Sequence, residues 1–322
     1  MMADHPRWKL AKKILTWLFF IAVIVLLVLY ARKVNWHDVI EVVVNYNRLA
    51  ILASVALVVI SYLTYGIYDL IGQSYCGHKL QKRQVMLVSF ICYAFNLTLS
   101  TWVGGVAMRY RLYSRLGLDG STITRIFSLS IATNWLGYVL VSGVVFSAGM
   151  VEIPPGWFVG EGTLRAIGIG LLAFVVVYLA FCAFSKRRRW TVKGHTLALP
   201  SLRMAGIQFV VSSANWLVMG MIIWLLLAEK VDYPQVLGVL LISSIAGVII
   251  HIPAGIGVLE AVFLALLGGE HVSHGAIIAA LLAYRVLYFI APLLLALVLY
   301  LLLESKAKSL RQKNVQEMEK SV

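Results

Sequence analysis

Long apolar runs follow one another along the chain, separated by short polar stretches. Crossing a bilayer as a helix takes about 20 apolar residues. Runs of about that length predict full spans at 14–30, 49–71, 123–149, 167–184, 207–228 and 276–303. The stretch after the first run places Trp36, Val39, Ile40, Val43 and Val44 on one helical face. That spacing predicts a short amphipathic helix lying in the interface. Two further runs, 85–108 and 236–267, are long and apolar but interrupted. The first carries Asn96, Thr98, Ser100 and Thr101 in its middle, then Gly104 and Gly105. The second contains His251-Ile252-Pro253-Ala254-Gly255-Ile256-Gly257-Val258-Leu259-Glu260. Pro253 lacks the N–H that a helix interior uses, Gly255 and Gly257 admit left-handed backbone, and a carboxylate follows three residues later. Broken backbone carrying a charge at membrane depth is tolerated where protein buries it or water reaches it, which points to a binding site or a permeation path.

Charge then sets the orientation. The N-terminal segment holds Arg7, Lys9, Lys12 and Lys13, the loop after 184 holds Lys186, Arg187, Arg188, Arg189, Lys193 and Arg203, and the tail holds Lys306, Lys308, Arg311, Lys313 and Lys320. The positive-inside rule puts all three in the cytoplasm. With both termini inside, parity requires 85–108 and 236–267 each to return to the side it entered. They are expected as re-entrant helical hairpins, the first turning near 96–101. The order is span, span, hairpin, span, repeated from the opposite face, with halves at about 14–149 and 167–303, an inverted-repeat plan common among transporters. Aligning Gly104 with Gly255 sets Arg109 opposite Glu260. The expected fold is an all-α polytopic membrane protein: one transmembrane domain over 1–303 and a basic cytoplasmic tail over 304–322.

Composition agrees. Of 322 residues, 61% are hydrophobic and 13% charged, which excludes a soluble domain. The net charge of +14 fits basic loops beside anionic headgroups rather than nucleic acid. Cys76, Cys92 and Cys182 have no metal-ligand spacing and read as packing residues. No small-x-small cleavage site follows the first run, so it is expected to stay as an uncleaved span.

The charges at depth are the candidate chemistry. Glu260 and Arg285 lie in consecutive elements and are able to pair. Arg109 and Arg125 suit a basic pocket for phosphate, whose oxygens a guanidinium fork matches. Arg111 and Arg115 read as interface anchors with Tyr110 and Tyr113. Asp69, near the end of its span, reads as a cap or a partner for a loop lysine. Asn134 and Asn215 read as helix–helix contacts. His271 and His274 are two histidines without a third ligand, so no metal is expected. Gly255-Ile256-Gly257 follows no strand, and no P-loop or His-Glu-x-x-His occurs, so neither a cofactor nor catalysis is expected.

The segments Leu97-Thr98-Leu99-Ser100-Thr101-Trp102-Val103-Gly104-Gly105 with Arg109, and Pro253-Ala254-Gly255-Ile256-Gly257-Val258-Leu259-Glu260, resemble the signature segments of the lysylphosphatidylglycerol synthase transmembrane-region family. The likeness extends over nearly the whole chain. That family includes the membrane half of a peptide-resistance factor understood to flip aminoacylated phosphatidylglycerol between leaflets. The resemblance implies a lipid-translocating fold with two re-entrant helices. The sequence stops at Val322 without a soluble aminoacyl-transfer domain, so lysine transfer to lipid is not expected. The expected activity is movement of an anionic phospholipid or a polyprenyl-phosphate lipid across a bacterial inner membrane. Arg109, Arg125 and Arg285 would hold the phosphate, Glu260 would be a proton-coupled or pairing carboxylate, and Gly104, Gly105, Pro253, Gly255 and Gly257 would open the groove. The alternatives are a non-transporting partner of a lipid-synthesis enzyme, and an intramembrane lipid-modifying enzyme built on Glu260 and His251.

Overall fold

The computed structural model describes residues 46–304 apart from 100, 155–156, 158, 186–188, 193–194, 251–254, 256 and 269–271. The predicted span at 14–30, the interfacial helix after it and the basic tail lie outside the described residues, as do His251, Pro253 and His271. The described chain is helical. In order it forms α1 (Arg48–Cys76), α2 (Lys82–Thr98), a π-helical segment (Thr101–Met108) running into α3 (Arg109–Arg115), α4 (Gly120–Ser147), α5 (Glu161–Phe184), α6 (Leu202–Leu226), α7 (Tyr233–Ile250), α8 (Val258–Leu267) and α9 (His274–Arg285). After Arg285 a π turn over Val286–Ile290 carries helix on to Glu304. A two-stranded antiparallel ribbon, β1 (Arg189–Val192) and β2 (His195–Ala198), pairs Arg189 with Ala198 in the loop between α5 and α6 and leaves the expected all-α class unchanged.

Among the described residues six helices are able, by length and composition, to cross a membrane: α1, α4, α5, α6, α7 and the helix from His274 to Glu304. Five of them coincide with predicted spans, and α7 is the first arm of the second interrupted run. Four of these helices start at a side-chain cap, whereas α5 starts after Gly160 without one. Asn47 accepts from the Leu49 N–H, Asp119 from Thr122, Ser201 from Met204 and Ser273 from Ala276.

Asp119 is the most heavily bonded of these caps. Its carboxyl lies below the usual carboxylate range, first because the Ser121 hydroxyl donates to it and then because Thr122 does so from both side chain and backbone. A depressed value means the folded chain keeps the charge to lower pH than the unfolded chain. The stabilisation is full above the ordinary value of about 3.9 and is lost as pH falls below it. Asp119→Ala is expected to lower the unfolding midpoint at pH 7 by an amount that shrinks as the pH drops below that value.

Packing places one main core between the helices, running from Val58 on α1 to Tyr300 near the end of the last helix. α4 packs against α5 and α6, and α1 against α6, α2 and α4. α5 is peripheral: it buries Leu164, Gly168, Val175 and Cys182, while Ile169, Phe174, Val176, Val177, Phe181 and Phe184 face outward. In a bilayer that face meets lipid.

Both interrupted runs double back on themselves. A Cβ placed on Gly104 would stand 1.9 Å from the Asn96 backbone nitrogen, eight residues earlier, so the π segment runs back against α2. The break falls between Thr98 and Thr101, inside the predicted stretch. No side chain fits there, and Gly104→Ala is expected to cost about 3 kcal/mol, the upper end for overpacking, read as loss of the monodisperse fold on heating in detergent. In the second run α8 packs on α7, and the Gly247 side of α7 lies within 3.9 Å of the Gly255 Cα.

Candidate functional site

Each reversal delivers one charge into the helix bundle, and each charge finds an opposite charge on a full-length helix. The first is Arg109, at the start of α3. Its Nη2 donates to Asp69 Oδ1 at 2.8 Å, across from α1. Asp69 also accepts from Tyr113 Oη at 2.8 Å and from Ser130 Oγ of α4 at 2.7 Å. Three elements are therefore tied to one carboxylate. The guanidinium lies 4.7 Å from the centre of the Tyr93 ring. The pair is sealed, with side-chain exposures of 3% for Arg109 and 0% for Asp69. Asp69 is thus not a surface cap or a partner for a loop lysine. Its partner lies 40 residues away, brought to it by the reversal after α2.

The second pair is Glu260 with Arg285. Arg285 donates from Nε to Oε1 at 2.5 Å and from Nη2 to Oε2 at 2.9 Å, a two-point fork. Its Nη2 also reaches the Gly255 carbonyl at 3.1 Å. Glu260 Oε2 accepts from the Gly257 N–H at 2.9 Å, so the same carboxylate caps the start of α8. Gly255 and Gly257 hold φ of +57° and +84°, left-handed values that glycine adopts without strain. This pair is less closed than the first: Arg285 is 5% exposed and Glu260 22%.

Between the pairs runs a column of tyrosines. Tyr62, Tyr65 and Tyr68 lie on one face of α1, with Tyr284 and Tyr288 on the last helix, all buried. Tyr65 stacks on Tyr93 at 4.1 Å, and Arg109 lies over the Tyr93 ring. Tyr288 stacks on Tyr284, next to Arg285, at 5.1 Å. The Tyr288 hydroxyl donates to Ser61, whose hydroxyl donates to Asn215 of α6, each at 2.7 Å. Asn215 is thus a helix–helix contact, as expected from its place in a span. The tyrosine column was not anticipated, although three tyrosines at three-residue spacing on the face that carries Ser61 and Asp69 were the available signal.

The remaining predicted residues are placed less centrally. Arg125 is exposed on α4, while Arg109 is buried and held by Asp69, so the two do not form the open basic pocket expected of them. Arg111 and Arg115 both pair with Glu304 at the end of the last helix. Gly104 and Gly105 are buried in the first reversal. Cys76, Cys92 and Cys182 are free thiols. Among the described residues no group of three or more His, Cys, Asp or Glu side chains converges on a metal-sized site.

The lysylphosphatidylglycerol synthase TM region family model matches residues 17–296. The inner membrane protein YbhN of Escherichia coli is 71% identical over 314 residues, 98% of this chain and 99% of that protein. Phosphatidylglycerol lysyltransferases match more distantly: 23% identity over 288 residues in Staphylococcus xylosus and 24% over 301 in Bacillus subtilis. These matches cover 86% and 90% of this chain but 32% and 34% of the enzymes, so the chain spans about a third of their length. With six apolar helices among the described residues, the protein is a multi-pass protein of the bacterial inner membrane. The chain belongs to the lysylphosphatidylglycerol synthase transmembrane-region family.

Proposed function

We propose that the protein is a lipid transporter of the inner membrane, not an enzyme, and that it moves a phosphate-bearing lipid between leaflets. The observation that carries this reading is the Glu260–Arg285 pair: a forked ion pair at a glycine break, accessible at its carboxylate, inside a helical membrane protein. Ionisable groups in such positions are costly and mark substrate or ion pathways. The family relationship to a membrane region attached to lipid-modifying enzymes supports a lipid as the substrate class.

In this reading the two reversals are re-entrant hairpins, one entering from each face, and the two halves of the chain form an inverted repeat with both termini in the cytoplasm. Each half then supplies one hairpin charge, Arg109 or Glu260, paired to a spanning helix of the same half. Unequal closure of the two pairs is what a transporter open on one side requires: the Asp69–Arg109 side sealed, the Glu260–Arg285 side wet. Arg109 acts by holding its hairpin shut, and Arg285 with Glu260 faces the lipid headgroup. Purified protein reconstituted in vesicles is expected to accelerate exchange of a headgroup-labelled phosphatidylglycerol between leaflets. Exchange no faster than in protein-free vesicles would contradict the proposal.

A further inference from the structure

We infer that Glu260 occupies the place of a lipid phosphate on Arg285, and that a phosphodiester headgroup binds by displacing the Glu260 carboxylate from the fork and from the Gly257 N–H. The inference rests on the transporter reading for its choice of a lipid, and on geometry for the rest.

Three donors converge on the two oxygens of Glu260: Arg285 Nε, Arg285 Nη2 and the Gly257 backbone N–H. A guanidinium fork beside a helix N-terminus suits a tetrahedral phosphate as well as a carboxylate, because both present paired oxygens to paired N–H groups. Among the described residues, chain neighbours aside, no atom stands within 4 Å of where a Cβ on Gly255 or Gly257 would be.

Burial is divided unequally within the pair. The guanidinium is 5% exposed and fixed by the Gly255 carbonyl, whereas the carboxylate is 22% exposed. The built-in member is the cation and the accessible member is the anion, the arrangement a displaceable internal ligand requires. The Asp69–Arg109 pair is the contrast. There Tyr113 and Ser130 hold the carboxylate, and its side chain is fully buried.

Charge favours a one-for-one exchange. Leaving Arg285 buried without an anion would be expensive. A phosphodiester brings one negative charge to the fork as the carboxylate swings toward water, so the guanidinium stays neutralised. A phosphomonoester would bring more charge than Glu260 removes. The site therefore fits glycerophospholipids better than polyprenyl monophosphates.

The test is calorimetric titration of the full chain in detergent with dihexanoyl phosphatidylglycerol, dihexanoylglycerol and inorganic phosphate, using wild type, Glu260→Gln, Glu260→Ala and Arg285→Lys. If Glu260 competes for Arg285, the competent fraction of wild type is small, and both Glu260 variants bind the phosphatidylglycerol about tenfold tighter. Arg285→Lys, which loses the fork, binds at least about tenfold weaker. Dihexanoylglycerol and inorganic phosphate each bind at least about tenfold weaker than the lipid, since each lacks one half of it. Unchanged or weaker binding by both monodisperse Glu260 variants would overturn the inference. So would inorganic phosphate binding as tightly as the lipid, which would assign the site to the free anion, or dihexanoylglycerol doing so, which would assign it to the acyl chains. Failure of leaflet exchange with this binding pattern intact would remove the transporter reading and leave the site. Exchange with no effect of Glu260 or Arg285 on binding would do the reverse.

Discussion

Asp69→Ala is expected to destabilise the protein by about 3–5 kcal/mol, the usual cost of stranding one member of a buried ion pair. The substitution leaves the Arg109 guanidinium sealed among α1, α2 and α4 with no carboxylate, and it unpairs the hydroxyls of Tyr113 and Ser130 at the same time. The loss belongs to the stranded charge, not to the missing attraction. Replacing both partners, Asp69→Leu with Arg109→Met, is therefore expected to recover most of it, because apolar pairs of similar size are often as stable as the buried ions they replace. Thermal unfolding in detergent reads the difference. A double variant no more stable than Asp69→Ala would mean that the hydroxyl network, and not the charge, holds the first reversal in place.

Glu260→Gln is expected to slow leaflet exchange at least about tenfold and to cost about 3 kcal/mol of stability, because the buried Arg285 loses its anion. Gln keeps the size of the side chain and one acceptor for the Gly257 N–H. It loses the charge that neutralises Arg285 between substrates. If Glu260 serves the lipid by releasing it, the neutral variant retains bound headgroup and stalls. Two readouts moving in opposite directions, tighter binding and slower exchange, separate this role from that of a simple helix cap, for which exchange would follow stability. Rates in vesicles reconstituted with equal amounts of folded protein supply the check.

The contrast between these two pairs also marks where the sequence was readable. Glu260 follows the Pro-Ala-Gly-Ile-Gly break and Arg285 lies in the next element, so their places in the chain suggested that they meet. Asp69 gave no such sign. Position in the apolar run placed it near a membrane face, and its partner is reached only through the reversal between Thr98 and Thr101. Arg109 and Arg125 read together as a phosphate pocket, yet Arg109 is buried against a carboxylate and Arg125 is exposed. Hydropathy located five crossing helices but began four of them too late, at 123, 167, 207 and 276, because it ignores polar first turns. The caps Asp119, Ser201 and Ser273 were legible signals for three of those starts. The π-helical stretches and the short ribbon at 189–198 had no periodicity to announce them.

The central claim, that this chain carries lipid across the bilayer, is tested most directly by quenching a fluorescent phosphatidylglycerol from outside reconstituted vesicles. If the account is right, vesicles holding wild-type protein lose the inner-leaflet signal as well as the outer, and vesicles holding Glu260→Gln lose the outer signal with little of the inner. Wild-type vesicles whose inner-leaflet signal stays protected, as it does without protein, would contradict the account.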